Sequence, residues 1–214
     1  DFADPPMQTN WSAGSASGKV DVYGAKADPR PTLIWCAGVH GAEAEAVAAT
    51  VNLISLFETG LDLRGMPRPK LMKLLDEYRV ILLPCVNMDG RAISPDHLRH
   101  VTYEAFRKAS QGVWKDGSLV NWQGSKEHFP LPLDRVAFPG GYPNTDGFNI
   151  MHDACPGHVR TAEARAILRL AERYAADVVI NAHSCEGEPV MLSPSCVNYP
   201  RHIERGLRAC DSVN

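Results

Sequence analysis

The chain has 214 residues, of which 44% are hydrophobic and 22% charged, and it carries a formal net charge of −3. That length and apolar content suffice for a buried single-domain core and exclude intrinsic disorder. Lys and Arg (22) are outnumbered by Asp and Glu (25), and no apolar run approaches the roughly 20 residues of a membrane helix, so neither a nucleic acid nor a membrane is an expected partner.

Residues 1–18, rich in Gly, Ser and Pro, read as an N-terminal arm, and residues 19–214 as one domain. The chain opens on Asp1 without a leader, as expected of a mature or trimmed product; compartment and oligomeric state stay open. After a weak strand at Lys19–Tyr23, the continuous apolar run Thr32–Ala37 (TLIWCA) predicts a strand buried on both faces. Gly38–Gly41 breaks it. From Glu43 the apolar residues Val47, Val51, Ile54 and Phe57 recur at helical spacing up to Gly60. Leu71–Tyr78 predicts a short helix presenting Leu71, Leu74 and Leu75, and Arg79–Pro84 (RVILLP) a second buried strand.

Residues 85–160 show no period and are crowded with Pro, Gly, Asn and aromatic residues, a length that is uncommon for a loop unless it is functional. Thr161 is a candidate N-cap for a helix whose apolar face is Ala166, Ile167, Leu170 and Tyr174, with Glu163 well placed in the first turn. Asp177–Ala182 (DVVINA) predicts a third buried strand, stopping at His183-Ser184, and a short helix is expected at Arg201–Ala209. Strands alternating with helices imply a three-layer α/β/α sandwich around a mixed, mainly parallel sheet. The six cysteines include no CxxC pair. Cys36 and Cys85, set in apolar runs, read as buried free thiols rather than as parts of a disulfide scaffold.

In parallel sheets ligands bind beyond the carboxyl ends of strands. Two such ends carry histidine here: His40, three residues before Glu43, and His183. Two His and one Glu, with a fourth position left for water, form the ligand set of a catalytic zinc ion, which lowers the pKa of bound water towards about 7 and polarises a carbonyl.

Four motifs in order resemble the zinc carboxypeptidase (M14 metallopeptidase) family: His40-Gly41-Ala42-Glu43 its HxxE, Asn87-Met88-Asp89-Gly90 its Asn-Pro-Asp-Gly turn, Ala162-Glu163-Ala164-Arg165 the start of its Glu-containing helix, and His183-Ser184 its strand-ending third ligand. The resemblance, spanning roughly residues 19–190, implies a zinc-dependent hydrolase cleaving a peptide or amide bond, with Zn2+ on His40, Glu43 and His183. Phe106-Arg107-Lys108 resembles the family's Trp-Arg-Lys segment and makes Arg107 the candidate oxyanion stabiliser. Gly147–Asp153 resembles the family's Gly-Val-Asp-Leu-Asn-Arg-Asn stretch, but Met151 and His152 replace its substrate-binding Asn and Arg. His152 is then the candidate substrate contact, without arginine's bidentate grip on a terminal carboxylate.

The family's glutamate base comes from a later strand, and only 31 residues follow His183. Three readings are open: a chain incomplete at its C-terminal end, substitution of the base by Glu186 or Glu188, or a pseudo-peptidase that binds without turnover. A deacylase of N-acyl amino acids, using the same HxxE and His, is the enzymatic alternative. The long 85–160 segment favours a peptide-like substrate over it.

Overall fold

The computed structural model describes residues 7–9, 20–22, 30–98, 100–121, 128–153 and 158–184, together with Arg208. Trp122, Glu186, Glu188, the cysteines after Cys85 and most of the 201–209 helix lie outside the described residues. The chain divides into two compact units, Asp1–Ser184 and Cys185–Asn214, a division the sequence reading does not draw. Of the second unit, Arg208, in a helical conformation, is described.

In chain order the elements are β1 (Met7–Thr9), β2 (Val20–Val22), β3 (Thr32–Ala37), α1 (Ala44–Thr59), α2 (Pro69–Leu75), β4 (Arg79–Leu83), α3 (Met88–Ile93), α4 (Tyr103–Gln111), β5 (Val113–Trp114), β6 (Val136–Phe138), α5 (Ala162–Arg173) and β7 (Val178–Ala182). The N-terminal arm thus contributes a strand: β1 pairs antiparallel with β2, Met7 opposite Val22.

β3 is the centre of a three-stranded sheet. It pairs in parallel with β4 on one side and β7 on the other, placing Ile34 between Ile81 and Val179. Alternation along β3 sends Ile34 and Cys36 to one face, where they cluster with Ile81 and Leu83 of β4 and with Ala164 and Leu170 of α5. Trp35 points the other way, and its Nε1 donates to Thr50 Oγ1 of α1 at 3.0 Å. A helix therefore covers each face, which builds the three-layer sandwich expected. The antiparallel pairs, β1–β2 and β5–β6, form separate ribbons.

Two expectations need correction. β7, read as buried on both faces, has Val178 and Val179 each 46% exposed, because among the described residues it has only β3 as a neighbour and its outer side is open. α2 buries no residue, and Leu74 stands 53% exposed, so its leucine face is not a core face. Cys36 and Cys85 are free thiols, the second only half-buried. Burial pushes them up to about 12 and about 11, so both stay protonated and unreactive.

The 85–160 segment is ordered by side chains rather than by periodicity. Asn87 is wholly buried; its Oδ1 accepts the Gly90 amide at 2.9 Å, and its Nδ2 donates to the carbonyls of Gly141, Tyr142 and Pro143 at 3.4, 3.1 and 3.1 Å. The expected Asp-Gly turn is thereby the first turn of α3. Thr161 caps α5 by accepting from Ala164 N at 3.2 Å, and Asp153 receives the amides of Arg160 and Thr161.

Glu163 does lie in the first turn of α5 but is only 2% exposed. Burial, reinforced by the charges of Asp89 and Asp146, raises its pKa above 4.5 against the pull of its own amide and the Asn144 side chain. The folded state then binds this proton more tightly than the unfolded chain, so the group's contribution favours folding in acid. That contribution is lost as pH rises from about 4.5 through the folded value. Glu163→Gln is expected to lose less stability than the wild type between pH 4 and 7, read by urea unfolding; parallel curves would refute it.

At the opposite end of α5, the buried hydroxyl of Tyr174 and the Nε and Nη2 of buried Arg79 have no hydrogen-bond partner among the described residues. The Arg79 Cζ lies 4.4 Å from the centroid of the Tyr174 ring. Tyr174→Phe keeps that ring contact and removes an unpaired buried hydroxyl. It is expected to gain about 1 kcal/mol, a rise of roughly 2–4 °C in Tm for a protein of this size; calorimetry checks it.

Candidate metal centre

The register of the sheet brings the two histidine-bearing strand ends together. Ala37 of β3 pairs with Ala182 of β7, so His183, one residue beyond, and His40, three residues beyond, share the same edge. The amides of Val86 and Asn87 bond to the carbonyls of Ala37 and Gly38, which carries the pairing of β3 with the chain after β4 past the strand ends. Glu43 occupies the N-cap of α1, yet its side chain makes no capping bond. It turns instead to the histidines: Oε1 lies 2.8 Å from His40 Nδ1, and Oε2 lies 3.0 Å from His183 Nδ1 and accepts Ser184 N at 3.1 Å. The three ligand atoms all lie within 4.8 Å of one another. His40 and Glu43 are buried, while His183 faces solvent in part.

His40 is held on its far edge and on one face. Its Nε2 is 3.2 Å from Asn149 Oδ1, and the Tyr142 ring stacks on it with centroids 4.0 Å apart and planes at 20°. Asn149 Oδ1 also accepts the Met151 amide at 3.1 Å, so that atom is the amide's acceptor end and His40 Nε2 carries the proton. In the neutral ring, Nδ1 is then a lone pair pointing at the Glu43 carboxylate. Two acceptors 2.8 Å apart need a cation between them, a proton on Nδ1 in the metal-free protein or a metal ion in its place, and a donor set of two imidazole nitrogens and a carboxylate fits zinc. Burial opposes ionisation of Glu43, but the hydrogen bonds and charges of His183 and His40 outweigh it and hold the carboxyl down at about 2.

A family model described as zinc carboxypeptidase, Peptidase M14, matches residues 12–129, more than half of the chain. The chain belongs to the zinc carboxypeptidase family. Solved structures similar to it include the crystal structure of thrombin activatable fibrinolysis inhibitor, at 15% identity and a TM-score of 0.47, covering 99% of this chain and 50% of that one. This chain thus spans about half the length of that structure. No curated protein gives a significant match.

The other candidates, Arg107 and His152, have the following surroundings. Arg107 lies on α4, half-buried, its Nη2 3.5 Å from Gln111 Oε1 and its Cζ 5.6 Å from the centroid of the Tyr103 ring, contacts within its own helix. His152 ends a 3-10 turn, Ile150–His152, with its Nε2 buried. Asp153 is engaged with the amides of Arg160 and Thr161. Four residues that the sequence reading passes over touch the site: Asn149, Tyr142, Ser184 and Glu45, whose Oε2 accepts from Ser184 Oγ at 3.0 Å. Asn149 and Ser184 had a signal, since they fall within the Gly147–Asp153 stretch and the His183-Ser184 motif; nothing in the sequence marks Tyr142 or Glu45.

Proposed function

We propose that this chain is a zinc-dependent peptidase or amidase, with the metal held by His40, Glu43 and His183. The observation that carries the reading is the convergence of two imidazole nitrogens and one carboxylate at adjacent parallel strand ends. Zinc bound there would act as a Lewis acid, acidifying water and polarising the scissile carbonyl. The protein's part is to hold that donor set. Asn149 keeps the proton on His40 Nε2 and so keeps Nδ1 free as a ligand. The Ser184 amide anchors Glu43 Oε2, and Tyr142 shields one face of the His40 ring.

In this reading Arg107 releases its intrahelical contacts and turns its fixed positive charge toward the developing oxyanion. His152 contacts the substrate on its C-terminal side, where an imidazole selects less strictly for a free carboxylate than arginine does. A peptide or amide is therefore the substrate class, and cleavage of peptides with blocked C-termini should persist. The test is metal analysis of the purified protein followed by turnover of acylated peptides with free and with amidated C-termini. One zinc per chain with cleavage of both supports the reading. A metal-free, folded, inert protein would sink it, and one that binds zinc without turnover would leave a binding domain.

A further inference from the structure

The bonds around His40 do not end at Asn149. Just before it, Asn144, only 4% exposed, closes residues 144–148 on themselves. Its Oδ1 accepts the amides of Asp146 at 3.1 Å and Phe148 at 3.0 Å, its own amide donates to Phe148 O at 2.9 Å, and Gly147 N donates to its carbonyl at 2.9 Å. Its Nδ2 points the other way and meets both carboxyl oxygens of Glu163, at 3.1 and 3.4 Å. Glu163 in turn sits on α5, whose Ala164 and Leu170 are rooted in the core beneath the sheet. The turn that ends on Asn149 is thus tied to the core helix α5 by a buried amide–carboxyl contact. Asn87 does the same for residues 141–143 and so for Tyr142.

We propose that Asn144, braced by Glu163, is a positioning residue for His40: it holds the 144–148 turn so that Asn149 Oδ1 meets His40 Nε2 and fixes the ring's orientation. Neither residue touches the ligand cluster. The consequence for metal affinity rests on the zinc reading above; the consequence for the His40 ring does not. An amide at 144 is needed because it must accept from two backbone amides and donate to a carboxyl at once. Aspartate could close the turn but has no donor for Glu163, and it would set carboxylate against carboxyl. At 163, glutamine still offers Asn144 an acceptor, whereas leucine does not.

The test is nitrogen NMR of the histidine side chains in the metal-free protein, following the Nε2 proton of His40. In the wild type Nε2 should carry a slowly exchanging proton held by Asn149 Oδ1. Asn144→Ala, Asn144→Asp and Glu163→Leu should each speed exchange of that proton on the order of tenfold, the scale of one lost hydrogen bond, while Glu163→Gln should resemble the wild type. A folded Asn144→Ala protein with wild-type exchange of the His40 Nε2 proton would overturn the proposal. If Asn144→Ala does not fold, the Glu163→Leu and Glu163→Gln pair decides: equal behaviour of the two would overturn it. Zinc affinity gives a second readout. Asn144→Ala and Asn149→Ala should each weaken binding about 10-fold, the lower end for outer partners of a metal ligand. The double variant should be no worse than the weaker single, and losses that multiply would count against a shared route through His40. A wild type that binds no zinc would defeat the zinc reading while leaving the NMR result to decide this one.

Discussion

Glu43→Ala is expected to weaken zinc binding by on the order of 100-fold or more, since loss of a mere outer-shell partner already costs about 10–100-fold. Glu43 is the one anionic member of the cluster, and its two oxygens are divided between the histidines, Oε1 to His40 and Oε2 to His183. Its removal therefore takes away one donor atom and also the charge that neutralises part of a divalent ion. Glu43→Gln separates these contributions: the amide keeps the size and one acceptor oxygen but loses the charge, and it sets an NH2 where one histidine now faces a carboxylate oxygen. Its affinity should fall between the wild type and Glu43→Ala. In the metal-free protein the alanine variant leaves the Ser184 amide and His40 Nδ1 without their acceptor, so a moderate loss of stability accompanies the loss of binding. Competition against a chromophoric chelator measures the affinity, and denaturant unfolding without metal measures the rest. Undiminished affinity in Glu43→Ala would place the metal elsewhere.

The cluster is legible in the sequence because its three residues sit at element boundaries that hydrophobic patterning locates well. The runs TLIWCA and RVILLP became β3 and β4, and the Val47–Phe57 spacing became α1 with Gly60 as its left-handed C-cap. Once two parallel strands are neighbours, residues just past their carboxyl ends must meet. What patterning could not supply was the order within 85–160. There the chain is fixed by buried asparagines, Asn87 and Asn144, each bonding to groups far away in sequence. An Asn in a polar, aperiodic stretch looks the same whether it is solvated or clamps a loop. Those clamps help to bring Tyr142 and Asn149 to His40, so the support of the cluster stayed hidden although His40, Glu43 and His183 did not. The exposure of β7 was missed for a related reason: apolar continuity reports that a strand is meant to be covered, not what covers it.

Gly41→Ala is expected to destabilise the fold and the site together, by about 3 kcal/mol, the upper end of the overpacking range. Gly41 lies between His40 and Glu43, and there the chain runs against the start of α3. A β-carbon at this position would stand 2.0 Å from Arg91 N and 2.1 Å from Gly90 C. Both are backbone atoms, so no rotamer change relieves the overlap; the loop must lift or α3 must move. Neither is free. The Gly41 amide donates to Gly141 O at 2.7 Å, and its carbonyl accepts from Arg91 Nη1 at 2.9 Å. On the other side, Gly90 is fixed by the Asn87 cap. Lifting the loop carries Ala42 and Glu43 outward and parts the Glu43 carboxylate from His183, which belongs to a different strand and does not follow. Thermal unfolding should show Tm lower by roughly 6–12 °C, at about 2–4 °C per kcal/mol for a protein of this size, and zinc affinity should fall with it. Wild-type melting and wild-type zinc affinity in this variant would mean that the loop and α3 do not touch as described. A fall in Tm with affinity intact would mean that α3 yields and the loop does not, leaving the ligand geometry to the strand ends alone.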